Sequence, residues 1–269
     1  MSETTPLPAV LEMHDVQVAA LRDPSLLVLE EVTWTVLAGD FWVVAGPQHA
    51  GKSDLLLHAA GLMVPSEGTC RLFGCDTKQF DENQIAGRWR VGLAFADGRL
   101  FHQLTLAENV ALPLRYHQQL SAPETLRSVE ALLELLELTP YADALPGDVP
   151  VVWRRRAELA RALALQPELL LLDNPNGGLT ARHRQWLMNF LDQLWRGHPF
   201  FGGRPMTLVV TTDDLPLWRH PQRKFAGVQE GRFSVLGQWG GEEFNRHRAV
   251  QELLTEMESH EATFPSFNP

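Results

Sequence analysis

Residues 46–53 read Gly-Pro-Gln-His-Ala-Gly-Lys-Ser and follow the apolar run FWVVA, a pattern that predicts a strand, a phosphate-binding loop and a helix. In such a loop the backbone N–H groups point at a phosphate, and the helix N-terminus adds positive potential. The side chain of Lys52 is then placed to reach the β and γ oxygens, and the hydroxyl of Ser53 to ligate Mg²⁺. A nucleotide is therefore the expected ligand.

Asp173 ends a second apolar run, ELLLLD, and suits the carboxylate on the Mg²⁺ side of such a site. A carboxylate at this position could instead cap the next helix. The predicted cofactors are ATP and Mg²⁺, with Ser53 and Asp173 as the metal ligands. The predicted nucleotide-binding residues are Gly46, Pro47, Gln48, His49, Ala50, Gly51, Lys52, Ser53, Asp54 and Asp173.

Two residues of this set argue against tight binding. His49 stands inside the loop, where a side chain can strain the backbone. Asp54 places a carboxylate in the first helical turn, where the helix dipole stabilises it but where it repels nucleotide and competes for the same N–H groups. We therefore expect weak binding of Mg-ATP.

Composition limits the alternatives. The chain has 269 residues, a net charge of −10 and 45% hydrophobic residues, so it can bury a full core, and nucleic acid is not an expected partner. No apolar run approaches the ~20 residues that span a bilayer, and the N-terminus has no signal pattern, so we expect a soluble or peripheral protein. Cys70 and Cys75 are expected to be incidental thiols.

Hydrophobic periodicity predicts alternating strands and helices, and hence a mostly parallel α/β sheet covered on both faces. The predicted strands are 10–18, 28–36, 40–46, 90–95, 168–173 and 206–212. The predicted helices are 53–63, 122–138, 154–165 and 182–195. Strands 90–95, 168–173 and 206–212 should lie in one parallel sheet, with Lys52 near Asp173 at the carboxyl ends of the strands.

The domain prediction follows from this order of elements. Residues 1–239 form a nucleotide-binding domain, in which the strand signal is lost over about 96–166, where an inserted helical lobe is expected. Residues 240–269 form a linker, a short helix and a tail. Val250, Leu253, Leu254 and Met257 make one apolar stripe after a Gly-Gly hinge. This stripe could dock on the chain itself or on a second protomer.

The order of these parts over residues 10–237 resembles the ATP-binding subunits of ABC transporters. VLEEVTWTVLAGD precedes the loop, GLMVPSEGTCRLFGCD follows it, and RRRAELARALALQPELLLLDNP resembles the stretch from the signature to the second nucleotide motif. Residues 95–138 are most similar to the ATPase subunits of MCE-type phospholipid transporters, which sustain bacterial outer-membrane lipid asymmetry. In those relatives a C-terminal tail reaches across the dimer, which favours the second protomer for the apolar stripe.

The resemblance implies a P-loop NTPase fold with ABC-type nucleotide-binding-domain architecture: a mixed or parallel sheet core, an antiparallel β subdomain and an inserted helical lobe. It implies an integral membrane permease and a second nucleotide-binding subunit, identical or different, as partners. The expected location is cytoplasmic, peripheral on the cytoplasmic face of the inner membrane. The groove beside FHQLTLAENV is the expected seat of a permease helix.

The chain departs from the family at its catalytic positions. Asn174 stands where the family has the glutamate that polarises water, and a carboxamide cannot take up a proton. Thr212 replaces the histidine that holds the γ-phosphate and the attacking water. Ala96 replaces the glutamine that senses Mg²⁺. No catalytic residue is therefore predicted, and hydrolysis is expected to be weak or absent.

Other departures affect the dimer site. The signature that would clasp a γ-phosphate across the dimer falls on residues 149–153, Val-Pro-Val-Val-Trp, which offer neither its serine nor its glycines. Thr180 replaces the aspartate of the interface loop, and Ala20 the ring that stacks on adenine. The resulting prediction is a structural or regulatory subunit of a lipid transporter. The alternatives are an active ATPase subunit that energises lipid transport and an adaptor or scaffold not attached to a transporter.

Overall fold

A computed structural model describes residues 7–80, 90–117, 121–246 and 250 of the chain. Its strands are β1 (Ala9–Ala20), β2 (Asp23–Leu37), β3 (Phe41–Ala45), β4 (Thr69–Leu72), β5 (Cys75–Asp76), β6 (Val91–Ala94), β7 (Leu169–Leu172), β8 (Thr207–Thr212), β9 (Lys224–Gln229) and β10 (Arg232–Gln238). Its α-helices are α1 (Lys52–Ala59), α2 (Leu106–His117), α3 (Ala122–Leu135), α4 (Val151–Leu163), α5 (Ala181–Arg196) and α6 (Glu242–Arg246).

The strands of the described part form one mixed sheet in the order β5-β4-β1-β2-β10-β9-β3-β8-β7-β6. The half from β9 to β6 is parallel, and its strands β3, β7 and β8 are buried along their whole length. Continuous apolar runs such as LLLL suit a strand that is covered on both faces. The predicted parallel sheet of β6, β7 and β8 is confirmed.

The other half of the sheet is an antiparallel β subdomain. β1 pairs with β2 and β4, and β4 pairs with β5, all antiparallel. The hairpin β9–β10 turns at Glu230 and Gly231, both with positive φ, and then joins the two halves because β10 also pairs with β2. This hairpin and the short strands β4 and β5 are absent from the strands predicted by periodicity.

Alternate residues of the central strands feed two cores. Val43 and Leu170 face the core shared with α2 to α5, whereas Val44 and Leu171 face the core shared with α1 and the antiparallel strands. The period of two along a strand produces this division. The sheet therefore forms the middle layer, with the helical lobe on one face and α1 on the other.

The helical lobe follows β6 and consists of α2, α3 and α4. α2 lies outside the helices predicted from periodicity, because Pro113 within it weakens the pattern. α3 begins at a capping box formed by Ser121 and Glu124, as the sequence S-A-P-E suggests. No strand is found within the described residues between β6 and β7, which agrees with the predicted lobe.

Two helices end earlier than predicted because the chain turns into a left-handed residue. α1 stops at Ala59, and Gly61 has φ +66 while Leu62 N–H donates to the carbonyl of Leu57 at 3.0 Å. α3 stops at Leu135, where Glu137 has a positive φ. Both ends have the hydrogen bonds of a Schellman cap, which satisfies carbonyls of the last turn.

The region after β10 packs on the rest of the chain where it is described. Phe244 of α6 and Val250 are both buried, and the ring of Phe244 lies 4.9 Å from Trp239 and 5.4 Å from Phe225. Val250, the first residue of the apolar stripe, therefore packs on the chain's own core. The resemblance favours a contact of the stripe with a second protomer, and Val250 does not follow that expectation. Leu253, Leu254 and Met257 lie outside the described residues.

Candidate nucleotide-binding site

The loop between β3 and α1 is shaped by its two glycines. A Cβ on Gly46 would lie 2.3 Å from the carbonyl oxygen of Val228, so only glycine lets the loop leave β3 beside β9. Gly51 caps α1 with φ +91 and would meet Val28 at 3.2 Å. Both positions therefore need glycine for physical reasons.

Lys52 is the first residue of α1 and is 8% exposed. Its Nζ donates to the carbonyl oxygens of Gly46 at 2.7 Å and Pro47 at 2.6 Å. Burial lowers the pKa of Lys52, while the negative charges of Asp213 and Asp173 act in the opposite direction. The ammonium group thus lies across the loop, close to the residues at the ends of β7 and β8.

Ser53 and Asp173 meet at this point, as the sequence predicts. Ser53 Oγ donates to Asp173 Oδ2 at 2.6 Å, and Thr211 Oγ1 donates to Asp173 Oδ1 at 2.7 Å. A hydroxyl and a carboxylate are hard oxygen ligands of the kind that Mg²⁺ prefers. Their donor chemistry and their contact therefore fit a magnesium ion at the end of β7.

The outer residues of the loop are exposed: Pro47, Gln48 and His49. His49 has φ +63, the left-handed region that costs a residue with a side chain about 1 kcal/mol. This conformation agrees with the strain expected at this position.

Asp54 has a structural contact that the sequence did not reveal. Its Oδ1 accepts a hydrogen bond from the backbone N–H of Leu21 at 2.8 Å. Leu21 lies in the turn between β1 and β2, directly after Ala20. The carboxylate therefore ties the phosphate-loop helix to the turn that directly follows Ala20, the predicted adenine-stacking position.

Asn174 follows β7 with φ +40, and its amide lies in a polar cluster. Its backbone N–H donates to Thr211 Oγ1 at 3.0 Å, and its Nδ2 donates to Asp213 Oδ2 at 3.3 Å. An amide that donates to a carboxylate is fixed in orientation, and it cannot accept a proton from water. Asp213 is a site residue that sequence reasoning missed, although TTDD at the end of β8 is its signal.

Thr212 and Ala96 offer little to a phosphate. Thr212 is 1% exposed, and its hydroxyl donates to the carbonyl oxygen of Asp214 at 3.1 Å and accepts from the Asp214 N–H at 2.9 Å. Ala96 lies half-buried two residues after β6 and ends in a methyl group. Neither side chain supplies a free donor or base.

Residues 149–153 run into the N-terminus of α4. Val149 is buried in the core, Pro150 caps the helix without a side-chain hydrogen bond, and Trp153 packs on Tyr141 with ring centroids 4.8 Å apart. The guanidinium of Arg155 in the same helix donates to the carbonyl oxygen of Gly177. This segment therefore presents apolar side chains and no hydroxyl.

A strand, a glycine-bounded loop, a buried lysine and a serine–aspartate pair at the strand ends define a P-loop nucleotide-binding fold of the ABC cassette type. Residues 29–177 match the family model described as ABC transporter. The chain belongs to this family, as an ATP-binding domain. The expected fold class is thereby confirmed.

The curated relatives include import ATP-binding proteins. The chain is 39% identical over 173 residues to the sulfate/thiosulfate import ATP-binding protein CysA of Synechococcus elongatus, covering 63% of this chain and 48% of that protein. It is 34% identical over 188 residues to the aliphatic sulfonates import ATP-binding protein SsuB of Bacillus licheniformis, covering 70% of this chain and 67% of that protein. The chain thus spans about half the length of the sulfate importer subunit that it matches.

A solved structure supports the same fold. The dimeric post-hydrolysis state of the ATP-binding cassette MJ0796, bound to ADP and Pi, superposes with a TM-score of 0.73 at 25% identity. The match covers 85% of this chain and all of that one.

Within the described residues, no helix has both the length and the apolar character needed to cross a bilayer.

Proposed function

We propose that this chain is the ATP-binding subunit of a transporter in which nucleotide is bound weakly and hydrolysis is lost, so that the subunit acts structurally or in regulation. The observation that carries the proposal is the polar cluster at the ends of β7 and β8. Asn174 donates a hydrogen bond to Asp213 there, and the hydroxyl of Thr212 is hydrogen-bonded to the backbone of Asp214. A missing general base costs typically ~10²–10⁴ in rate, and a missing charge-stabilising donor ~10²–10³.

The proposed nucleotide site is the loop from Gly46 to Asp54, together with Asp173. Loop N–H groups at the start of α1 suit phosphate oxygens, and the Lys52 ammonium adds a positive charge. Ser53 and Asp173 would hold Mg²⁺, which would supply charge neutralisation for the phosphates. Weak binding is supported by the carboxylate of Asp54 and by the left-handed backbone of His49.

The proposed partners are an integral membrane permease and a second nucleotide-binding subunit. A groove between the sheet edge and α2 presents Leu62, Phe101 and Tyr116, which are 56%, 58% and 81% exposed. Exposed apolar side chains that line one groove are typical of a protein-binding surface. The groove lies beside FHQLTLAENV and suits an apolar permease helix, which would place the subunit on the cytoplasmic face of the inner membrane.

An MCE-type lipid transport system is the proposed context, and it rests on the similarity of residues 95–138 to those subunits. The proposed division of the chain is a nucleotide-binding domain over 1–239 and an appended segment over 240–269. Co-purification of the tagged chain with a membrane permease tests this proposal. Recovery of the chain without any membrane protein, from gently solubilised membranes, would favour an adaptor that is free of a transporter.

A working ATPase is the second candidate, and one contact favours it. Asp213 is a carboxylate beside Asn174, and its charge acts on Lys52. It could accept the proton that Asn174 cannot. Asp213→Asn separates the two candidates: under the first, the variant and the wild type both release no phosphate, whereas under the second the wild type turns over and the variant loses most of its rate.

A further inference from the structure

Glu158 is a carboxylate buried inside the lobe, and neither the catalytic nor the nucleotide-binding proposal uses it. It lies on α4 between the core residues Ala157 and Leu159, and it is 0% exposed. Burying a carboxylate costs several kcal/mol unless partners compensate, so its contacts carry information about its role.

Among the described residues, its partners lie in α4 or in the loop of residues 95–99, which leads from β6 into the lobe. Glu158 Oε2 accepts a hydrogen bond from the backbone N–H of Arg99 at 3.0 Å, while Oε1 is buried and accepts no hydrogen bond within the described residues. The backbone of Phe95 lies near enough to the carboxylate to favour its ionised form. The carboxylate therefore binds the Arg99 end of the 95–99 loop and lies close to its Phe95 end.

Arg161, one turn further along α4, completes the arrangement. Its Nη2 lies 3.5 Å from Glu158 Oε1 and donates to the carbonyl oxygen of Arg99 at 2.6 Å. Two side chains of α4 thus bind the backbone of Arg99: Glu158 accepts from its N–H, and Arg161 donates to its carbonyl oxygen.

The loop begins beside the phosphate site. Asp173 N–H donates to the carbonyl oxygen of Ala94 at 2.9 Å, and Phe95 and Asp173 line the same small cavity. The side chain of Ala96 is a methyl group, so it cannot bind a metal ion or a phosphate.

We propose that Glu158 is the positioning residue of the 95–99 loop, and that its protonation decides how firmly this loop is held to α4. The link between the sheet and the helical lobe then depends on a buried carboxyl group. This role of Glu158 does not depend on whether the protein hydrolyses ATP.

The charged groups that act on the carboxyl come from the loop and from α4. Arg161 favours the ionised form, as do the two backbone amides, while Asp97 disfavours it, and the charges of Glu158 and Arg155 also interact. Burial outweighs the favourable contacts and raises the pKa of Glu158 to about 7. The neutral form is therefore favoured while the loop is closed.

The direction of the pH effect follows from linkage. When the loop opens, Glu158 meets water and regains a pKa near its ordinary value of 4.5. The closed loop binds the proton more tightly than the open loop, so closure is strongest below about pH 4.5 and weakens as the pH rises towards 7. Above about pH 7 the free-energy difference between the closed and the open loop no longer changes with pH.

Hydrogen exchange of the amides in the 95–99 loop tests the proposal on the full chain without nucleotide. After correction for intrinsic exchange chemistry, wild-type protection should be at least ~10-fold greater at pH 5 than at pH 8. Glu158→Gln mimics the neutral acid, so its protection should be high and equal at the two pH values. Glu158→Ala should lose the protection at both.

Glu168→Gln is the matched control, since Glu168 pairs with Arg90 at the surface and does not contact the loop. It should reproduce the wild-type pH profile. Equal wild-type protection at pH 5 and pH 8 would overturn the proposal. A Glu158→Gln profile that still follows the wild type would overturn it as well, even if Glu158→Ala did not fold.

Discussion

At the scale of single residues, a substitution of Asp54 can separate the effect of its charge on nucleotide binding from the effect of its hydrogen bond to Leu21. Its carboxylate holds the Leu21 N–H, and an asparagine at 54 would keep that acceptor while removing the charge. Loss of a repulsion of about 1 kcal/mol predicts that Asp54→Asn binds Mg-ATP about fivefold more tightly than the wild type. Isothermal titration calorimetry measures the change.

Two comparisons control this measurement. Glu134→Gln removes an exposed charge from α3 and should leave the affinity unchanged. Lys52→Ala should abolish whatever binding the wild type shows. Weaker binding by Asp54→Asn than by the wild type would contradict the repulsion assigned to Asp54.

A single repair of the base should not restore catalysis. Asn174→Glu returns a proton acceptor, but the attacking water still lacks the group that Thr212 replaces, and residues 149–153 still offer no serine or glycine. Groups that act as a unit are strongly non-additive, so one repair is of little use. We expect Asn174→Glu to release phosphate no faster than its Lys52→Ala double variant in a coupled phosphate assay. Lys52-dependent turnover in Asn174→Glu alone would show that the altered signature matters little.

At the scale of elements, the docking of α6 is open to direct test. Phe244 is 2% exposed and packs on Phe225 and Trp239. Phe244→Ala should lower the free energy of unfolding by about 3 kcal/mol, because it leaves a cavity in the core. Urea unfolding measures the loss. Phe200→Ala, at a ring that is 36% exposed, is the control and should cost clearly less.

The oligomeric state of a chain truncated after Gly240 distinguishes the two predicted roles of the C-terminal segment. If docking is wholly within the chain, truncation after Gly240 destabilises the protein without changing its oligomeric state. A change from dimer to monomer on truncation would restore the second-protomer interpretation for the residues beyond Val250.

How far the sequence predicted each element depends on its environment. Strands β3, β7 and β8 were predictable because burial on both faces demands continuous apolar runs. The hairpin β9–β10 was missed because Arg232–Gln238 is half-exposed and its pattern is weak, although Glu230-Gly231 is a turn signal. Buried and exposed residues do not alternate regularly along β10, so local periodicity carries little information on this strand.

The candidate site shows the same limit. The loop, Lys52 and Ser53 were predictable because a short motif fixes their places, and Asp173 because it ends a continuous apolar strand. The roles of Asp213 and Glu158 were not, since each depends on contacts between elements far apart in sequence: Asp213 lies 39 residues from Asn174, and Glu158 lies 59 residues from Arg99.

At the scale of the whole molecule, Glu158 should shape the dependence of stability on pH. Its folded-state pKa of about 7 exceeds the ordinary value of 4.5, so the folded state loses stability as the pH rises through this window. The full effect is about 3 kcal/mol. His58, whose pKa burial lowers, acts in the opposite direction as the pH falls through 6.5.

Comparing variants removes the contribution of His58. The stability difference between Glu158→Gln and the wild type should shift by about 2–3 kcal/mol in favour of the variant from pH 5 to pH 8, by urea unfolding. A difference that stays constant over this range would show that Glu158 titrates normally in the folded protein.

Loss of ATP hydrolysis is the central claim for the whole molecule, and steady-state phosphate release with Mg-ATP tests it most directly. The wild type and Lys52→Ala are compared, alone and with any permease that co-purifies. We predict equal rates for the two proteins in both settings, because Asn174 donates to Asp213, Thr212 bonds to Asp214, and neither side chain supplies a base. Robust phosphate release by the wild type that Lys52→Ala abolishes would contradict this prediction and identify the chain as a working ATPase.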